Sequence, residues 1–359
     1  MACVRRSLST LGASQDAIGF VEDAYRAGTR KVYDSRWQRW SGWCRVHNVD
    51  PVKPSNVDLA NFLAQLAAQD RLAPNTVKVY RSAIVTSLTQ MGGRVRGESS
   101  QPHLIRDVVR GIEARSASTP RRVPLWDMHL VLEALRSPPF EPLRSLDRAT
   151  LTKKTAFLVM LASGRRASEV NALSGLASSV GRDSDGGFIL KFLPEFRAKN
   201  QAASERSPVV RIPPLSKILG PDDEDRYLCP VRALKHYLNV TSPTRPETCR
   251  KLFISINPNF AKDVSVSTVS RWVSDVVKLA YATKLESLPS SRAHEVRAWA
   301  ASLALEHSVA LQDILDAAFW KSESTFANFY LRDSRIQRAD GSCGIATLAV
   351  SQQVISTSQ

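Results

Sequence analysis

The sequence predicts a mainly α-helical protein with a small β-sheet (α+β), divided into an all-helical N-terminal domain and a C-terminal domain of mixed content. Three observations predict it. Aromatic and aliphatic residues recur at helical spacing through residues 29–113. Residues 115–124, Arg-Ser-Ala-Ser-Thr-Pro-Arg-Arg-Val-Pro, are poor in apolar side chains and contain two prolines, as a linker would be. Two short strand-like runs interrupt an otherwise helix-periodic second half. With 359 residues, 43% of them hydrophobic, the chain is long enough to bury two cores.

Taken in order, residues 1–28 show little periodicity and are expected to form a loose lead-in with one short helix. A helix is expected from Thr29, a residue suited to an N-cap, with Tyr33, Trp37, Trp40 and Cys44 on one face. A second begins near Ser55 or Asn56 and buries Leu59, Phe62, Leu63 and Leu66; a third follows Pro74 with Val77, Tyr80, Ile84 and Leu88 as its stripe. Residues 29–114 thus form one helical domain, with 115–124 as the linker and 125–335 as the second domain. Helices are expected there near 126–136 and 147–163. After Leu173, Phe188–Leu193 and Val209–Ile212 read as strands of a hairpin or small sheet, separated by a polar stretch containing Lys199. Pro230–Val240, Ser267–Tyr281, Ser291–Glu306 and Leu311–Ala318 read as helices again. Residues 336–359 form a tail with a modestly apolar run at Gly344–Ile355.

The 49 Lys and Arg against 34 Asp and Glu leave a formal charge of +15. Residues 1–120 hold 17 basic and 10 acidic side chains (+7), which leaves 32 and 24 (+8) for the rest, so both halves are basic. That distribution suits a grip on a polyanion from two sides, with release of condensed counterions. Arg36, Arg39, Lys78 and Arg81 beside the N-terminal stripes, and Arg121 and Arg122 in the linker, are the candidate DNA contacts. The five cysteines, at 3, 44, 229, 249 and 343, show neither a disulfide framework nor metal-ligand spacing. No apolar run is long enough for a bilayer span and no signal peptide is evident, so a soluble intracellular protein without a membrane partner is expected. A Walker loop, a zinc pair and a carboxylate cluster are all missing from the motif inventory, and no cofactor is expected.

Two segments carry candidate chemistry. Arg166 closes the apolar run Ala156–Ala162, where a helix end can deliver a guanidinium, and Glu169 three residues on can orient it. His294 and Arg297 are one helical turn apart and can address one phosphate together. Lys199 lies between the two strand runs, with Lys191 as a rival; Trp320 and Tyr330 follow near the end. Each has a bland reading: a solvated Arg–Glu pair, an exposed helix face, a loop lysine, core aromatics. Their order is what distinguishes them.

The series Ser163-Gly-Arg-Arg-Ala-Ser-Glu-Val170, a lysine in a hairpin, His294-x-x-Arg297, Trp320 and then Tyr330 resembles the catalytic half of the tyrosine recombinase (phage integrase) family. The helical 29–113 region resembles that family's core-binding domain. Leu151–Leu173 and Phe319–Arg332 look most like the recombinases of DIRS-like and Ngaro-like retrotransposons. The resemblance implies Arg166 and Arg297 as the clamp on the scissile phosphate, Glu169 as support for the first arginine, and Lys199 as the proton donor to the leaving 5′ oxygen. It implies His294 as proton shuttle, Trp320 in the position held by histidine or tryptophan, and Tyr330 as nucleophile. Arg165 stands where an apolar neighbour is usual, so a swap between the adjacent arginines stays open. The Trp320-to-Tyr330 interval is one residue longer than the family pattern.

The implied activity is metal- and ATP-independent breakage and rejoining of DNA strands through a 3′-phosphotyrosine, for integration of a mobile element. The implied partners are double-stranded DNA and further copies of the chain, a tetramer on paired sites with a monomer without DNA. A eukaryotic element implies work in the nucleus, and otherwise in the cytoplasm or nucleoid. The alternative of another class is a domesticated, catalytically inactive DNA-binding protein. A monomeric topoisomerase of the type IB kind and a basic helical scaffold explain less of the pattern.

Overall fold

The chain divides into two units, Met1–Arg121 and Arg122–Gln359, in a computed structural model. The structure describes residues 2–92, 103–116, 126–198, 201, 208–215, 224–282, 290–306 and 308–318.

In the first unit the helices are α1 (Ala2–Thr10), α2 (Gln15–Asp23), α3 (Ala27–Val46), α4 (Asn56–Ala68), α5 (Pro74–Gln90) and α6 (Leu104–Arg115). The aromatic stripes meet in one core: Trp40 packs edge-on to Phe62, and Phe62 edge-on to Tyr80. Trp40 is fully buried, and its indole N–H donates to the carbonyl of Pro51 at 3.1 Å. Ser55 and Asp58 close a reciprocal capping box at the start of α4, and Pro74 opens α5. The lead-in differs from expectation. Residues 1–28 hold two helices, with Val4 and Ile18 buried, and an Arg5–Glu22 ion pair ties α1 to α2. α3 starts at Ala27 with Arg26 at its N-cap, not at Thr29, and only Ala24, Tyr25 and Arg26 separate it from α2.

The second unit is built around α8 (Arg148–Ser163), which packs against α10 (Pro230–Thr241), α11 (Val266–Ala282) and α12 (Ala293–Glu306). Six successive residues of α8 outside its ends, Thr155 to Met160, are all buried, as befits a helix that is covered on every side. The other helices are α7 (Met128–Ala134), α9 (Ala167–Asn171) and α13 (Leu311–Ala318). α7 is shorter than the 126–136 expected, since Trp126 is anchored to Glu295 by a 2.9 Å hydrogen bond and Asp127 caps the helix.

Strands β1 (Val180–Arg182), β2 (Phe188–Lys191) and β3 (Val209–Ile212) form an antiparallel sheet in that order. Phe188 and Leu190 of β2 pair with Ile212 and Val210 of β3, so all four apolar side chains share the buried face. Phe192 leaves the ladder to bridge Leu173, and β1 was not foreseen. Among the described residues no helix is long and apolar enough to cross a membrane.

A buried ionic group pins the start of α8. Lys154, fully buried, donates to the carbonyls of Leu135 and Phe140 and to Glu141, whose two oxygens also accept from Arg232 at 2.7 and 2.9 Å. Burial pushes the Glu141 carboxyl up, but the hydrogen bonds from Arg232 and Lys154 outweigh it and hold it below its ordinary value. Glu141→Gln is expected to cost about 3–5 kcal/mol at neutral pH, because it leaves the Lys154 charge buried without its counter-ion. A carboxyl depressed on folding contributes stability above its unfolded pKa, about 4.3, and loses that contribution as pH falls through the lower folded value. Urea unfolding should therefore show the gap between wild type and variant closing in acid. A gap unchanged with pH would contradict this.

Candidate active site

α8 ends because Gly164 adopts a left-handed backbone, φ 58°, with its N–H turned to the carbonyl of Leu161. Arg165 is 4% exposed, and its burial, offset in part by Glu169 and reinforced by Arg166, pulls the guanidinium down to about 10. It stays protonated at neutral pH. Gly164→Ala is expected to destabilise the protein by about 1–2 kcal/mol through backbone strain alone, since an added Cβ meets nothing closer than Ala318 at 3.8 Å. A thermal melt indistinguishable from wild type would refute it.

Arg166 is the N-cap residue of α9 and Glu169 lies in its first turn. One Glu169 oxygen accepts from the Arg166 backbone N–H at 3.1 Å, and the other from Arg166 Nη1 at 2.8 Å. The side chain of Arg166 keeps 21% of its surface exposed, whereas Glu169 keeps 1%.

From 128 positions further along, α12 brings Arg297 to the same carboxylate: Arg297 Nη1 lies 3.6 Å from Glu169 Oε2, and Nη2 donates to the carbonyl of Ala318 at 2.5 Å. Arg297 is fully buried. Glu169 therefore stands between Arg166 and Arg297, with Arg165 close enough to feel both neighbours' charges. Three guanidiniums less one carboxylate leave a local charge of +2. A phosphodiester carries one negative charge and its pentacoordinate transition state more, so such a cluster favours the transition state over the ground state.

His294, exposed and one turn before Arg297, lines a depression of about 360 Å³ together with Ala167, Arg271 and Arg292. Arg271 and Arg292 were not singled out in the sequence, although Arg292 stands two residues before His294 and was visible for that reason. The expected Lys199, Trp320 and Tyr330 lie outside the described residues, as do the linker residues Arg121 and Arg122 and the tail run Gly344–Ile355.

In the first unit, Arg36 lies over the Tyr80 ring at 4.6 Å, Arg39 pairs with Asp70, and Lys78 pairs with Glu113. Of the six cations expected to face DNA, four lie among the described residues, and three of these hold partners within their own unit; Arg81 is exposed on α5.

No family model and no curated protein matches the chain. Solved structures do. A fragment of the Tn1549 transposon integrase, in complex with transposon right end DNA, aligns over 98% of this chain and 99% of that one at 13% identity and a TM-score of 0.55. A fragment of lambda integrase, as a dimer bound to a COC′ core site, aligns over 96% of this chain and 98% of that one at 16% identity and a TM-score of 0.53. At such identities the likeness is one of fold: this chain has the mainly helical fold with a small antiparallel sheet to which those integrases belong.

Proposed function

We propose that the chain is a tyrosine recombinase, breaking and rejoining DNA strands through a 3′-phosphotyrosine intermediate. The observation that carries this reading is the Arg166–Glu169–Arg297 cluster, assembled from two distant segments with a net positive charge on a fold shared with two DNA-bound integrases. Arg166 and Arg297 hold the scissile phosphate and stabilise the charge that grows on it, a role that a metal fills elsewhere. Glu169 fixes both guanidiniums in place. Tyr330 attacks phosphorus in line, Lys199 protonates the leaving 5′ oxygen, and His294 moves the nucleophile's proton. Trp320 takes the position that histidine or tryptophan holds in that family. The covalent bond retains the energy of the broken one, so rejoining needs no ATP.

The substrate is double-stranded DNA, and the working form is a homo-oligomer, a tetramer on paired sites assembled from monomers. Lambda integrase is itself seen as a dimer on its site. The finer reading is an integrase of a DIRS-like or Ngaro-like mobile element, joining a circular DNA copy to a genomic target in the nucleus.

The test is a suicide duplex, nicked beside the cleavage point so that the cut strand diffuses away and the covalent complex accumulates. Full-length protein should give an adduct that survives denaturation, forms in EDTA and maps to Tyr330. Firm DNA binding with no adduct on any supplied site would favour the inactive, domesticated DNA-binding protein instead.

A further inference from the structure

The depression of about 360 Å³ beside the Arg166–Glu169–Arg297 cluster holds two cations that the proposed chemistry does not use, Arg271 and Arg292. Both are exposed, and among the described residues nothing engages either guanidinium. Arg271 lies on α11 with Ser270 and Ser274, outside that helix's buried stripe of Val269, Trp272, Val273 and Val276. Arg292 stands just before α12, where its backbone N–H donates to Glu295 at 2.9 Å. Two hydrogen bonds clasp these segments together: Ser274 Oγ donates to the Ser291 carbonyl at 3.1 Å, and Ser291 Oγ to the Ser274 carbonyl at 3.4 Å. The backbones that carry the two guanidiniums are thus fixed to each other before any ligand arrives, which lowers the cost of using both at once.

The carboxylates nearby are already held. Asp275, four residues beyond Arg271, pairs with Lys153 at 3.0 Å. Glu295, three residues beyond Arg292, is buried, and one of its oxygens accepts from the Trp126 indole and the Arg292 backbone, each at 2.9 Å. Glu169 lies between Arg166 and Arg297. Lys284 and Glu286, between α11 and α12, fall outside the described residues, and their formal charges cancel. The rest of the lining is Ala167, Ala293, His294 and the three serines, so Arg271 and Arg292 give the depression an unspent positive charge.

The depression also adjoins the cluster. Ala167 follows Arg166 directly, and His294 precedes Arg297 by three residues of α12, about 4.5 Å along the helix axis. Successive phosphates of one strand are spaced about 3.4 Å along the DNA axis. The two lengths are alike, so a strand whose scissile phosphate lies at the cluster brings the next phosphate, and not a remote one, to Arg271 and Arg292.

We propose that Arg271 and Arg292 together bind the phosphate next to the scissile one on the cleaved strand, and thereby position that strand for attack. The proposal rests on the strand-cleavage reading and adds two residues to it. A strand held at one phosphate can pivot about it; a second contact one phosphate away fixes its direction. In-line attack depends on that direction, and a displacement of about 1 Å at the reacting centre can cost about a hundredfold in rate. Planar guanidinium forks suit the task because they meet phosphate oxygens in pairs.

The experiment uses the full chain and the double variant Arg271→Gln, Arg292→Gln. On a short duplex, the dependence of log affinity on log salt should flatten by about 0.9, the share of one phosphate. The variant Arg271→Lys, Arg292→Lys keeps both charges and should keep the wild-type slope. On a suicide duplex at saturating DNA, the double Gln variant should slow single-turnover cleavage by about 10- to 100-fold. A neutral methylphosphonate then replaces, in turn, each of the two phosphates that flank the cleavage point. At one of them wild type should lose about as much rate as the Gln variant loses on natural DNA, and the variant should lose nothing further; a merely structural role would make the two losses multiply. An unchanged salt slope, or losses that multiply at both flanking positions, would overturn the proposal. If wild type forms no adduct, the strand-cleavage reading fails, and the salt slope by itself then decides whether the two arginines hold a phosphate.

Discussion

Replacing Tyr330 with phenylalanine is expected to abolish the covalent protein–DNA complex while leaving DNA affinity within a few fold. The phenolic oxygen is the proposed nucleophile, and phenylalanine has no oxygen with which to attack phosphorus. As a binding group the same hydroxyl contributes at most one hydrogen bond, about 0.5–1.5 kcal/mol, on a chain whose charge is +15. The measurement is adduct yield on a suicide duplex beside a direct binding titration. An adduct that survives the substitution would sink the assignment. The other tyrosines of interest are badly placed to take over: the Tyr281 hydroxyl is half of a 2.7 Å hydrogen bond from the Asp127 N–H, and Tyr227 is stacked under Arg226 and Arg232.

Arg166→Ala and Arg297→Ala are each expected to slow cleavage by about a hundredfold or more, the usual cost of removing one preorganised charge donor from a transition state. Arg165→Ala should cost much less, because Arg166 is the guanidinium that Glu169 holds beside Arg297. Single-turnover cleavage of the three variants gives the ranking, and Arg165 proving the more costly of the adjacent pair would show that the clamp uses the other guanidinium. Because Arg297 is fully buried, its variants need a parallel unfolding curve. Glu169 still has Arg166 at 2.8 Å when Arg297 is removed, so the carboxylate is not stranded. Arg297→Lys keeps the charge but loses the fork, and should recover part of the fold's stability and little of the rate.

Where structure follows from local chemistry, it was legible from the residues. α13 spans Leu311–Ala318 as expected, and α8 runs to Ser163 between an aspartate cap and a left-handed glycine. Both signals lie within one or two turns of sequence. The lead-in holds two helices of nine residues where one was expected, and neither α6, with twelve residues, nor α9, with five, was placed. The nine- and five-residue helices are too short to persist in isolation, and they stand because tertiary packing holds them. β1 has three residues and no buried side chain, so it has no alternation to read; it exists because β2 offers it an edge.

The same division runs through the candidate site. The spacings Arg166 to Glu169 and His294 to Arg297 are each one helical turn, and sequence by itself determined that those pairs could share a face. It also determined the basic charge of both halves. What only the tertiary structure decided is that a single carboxylate, Glu169, lies between Arg166 and the distant Arg297, and that Arg165 is buried while its neighbour is not. Two of the three guanidiniums sit where water is excluded, and their charges are tolerable there only because α8, α9 and α12 converge on one counter-ion. That convergence depends on packing between segments far apart in the chain, which no periodicity encodes.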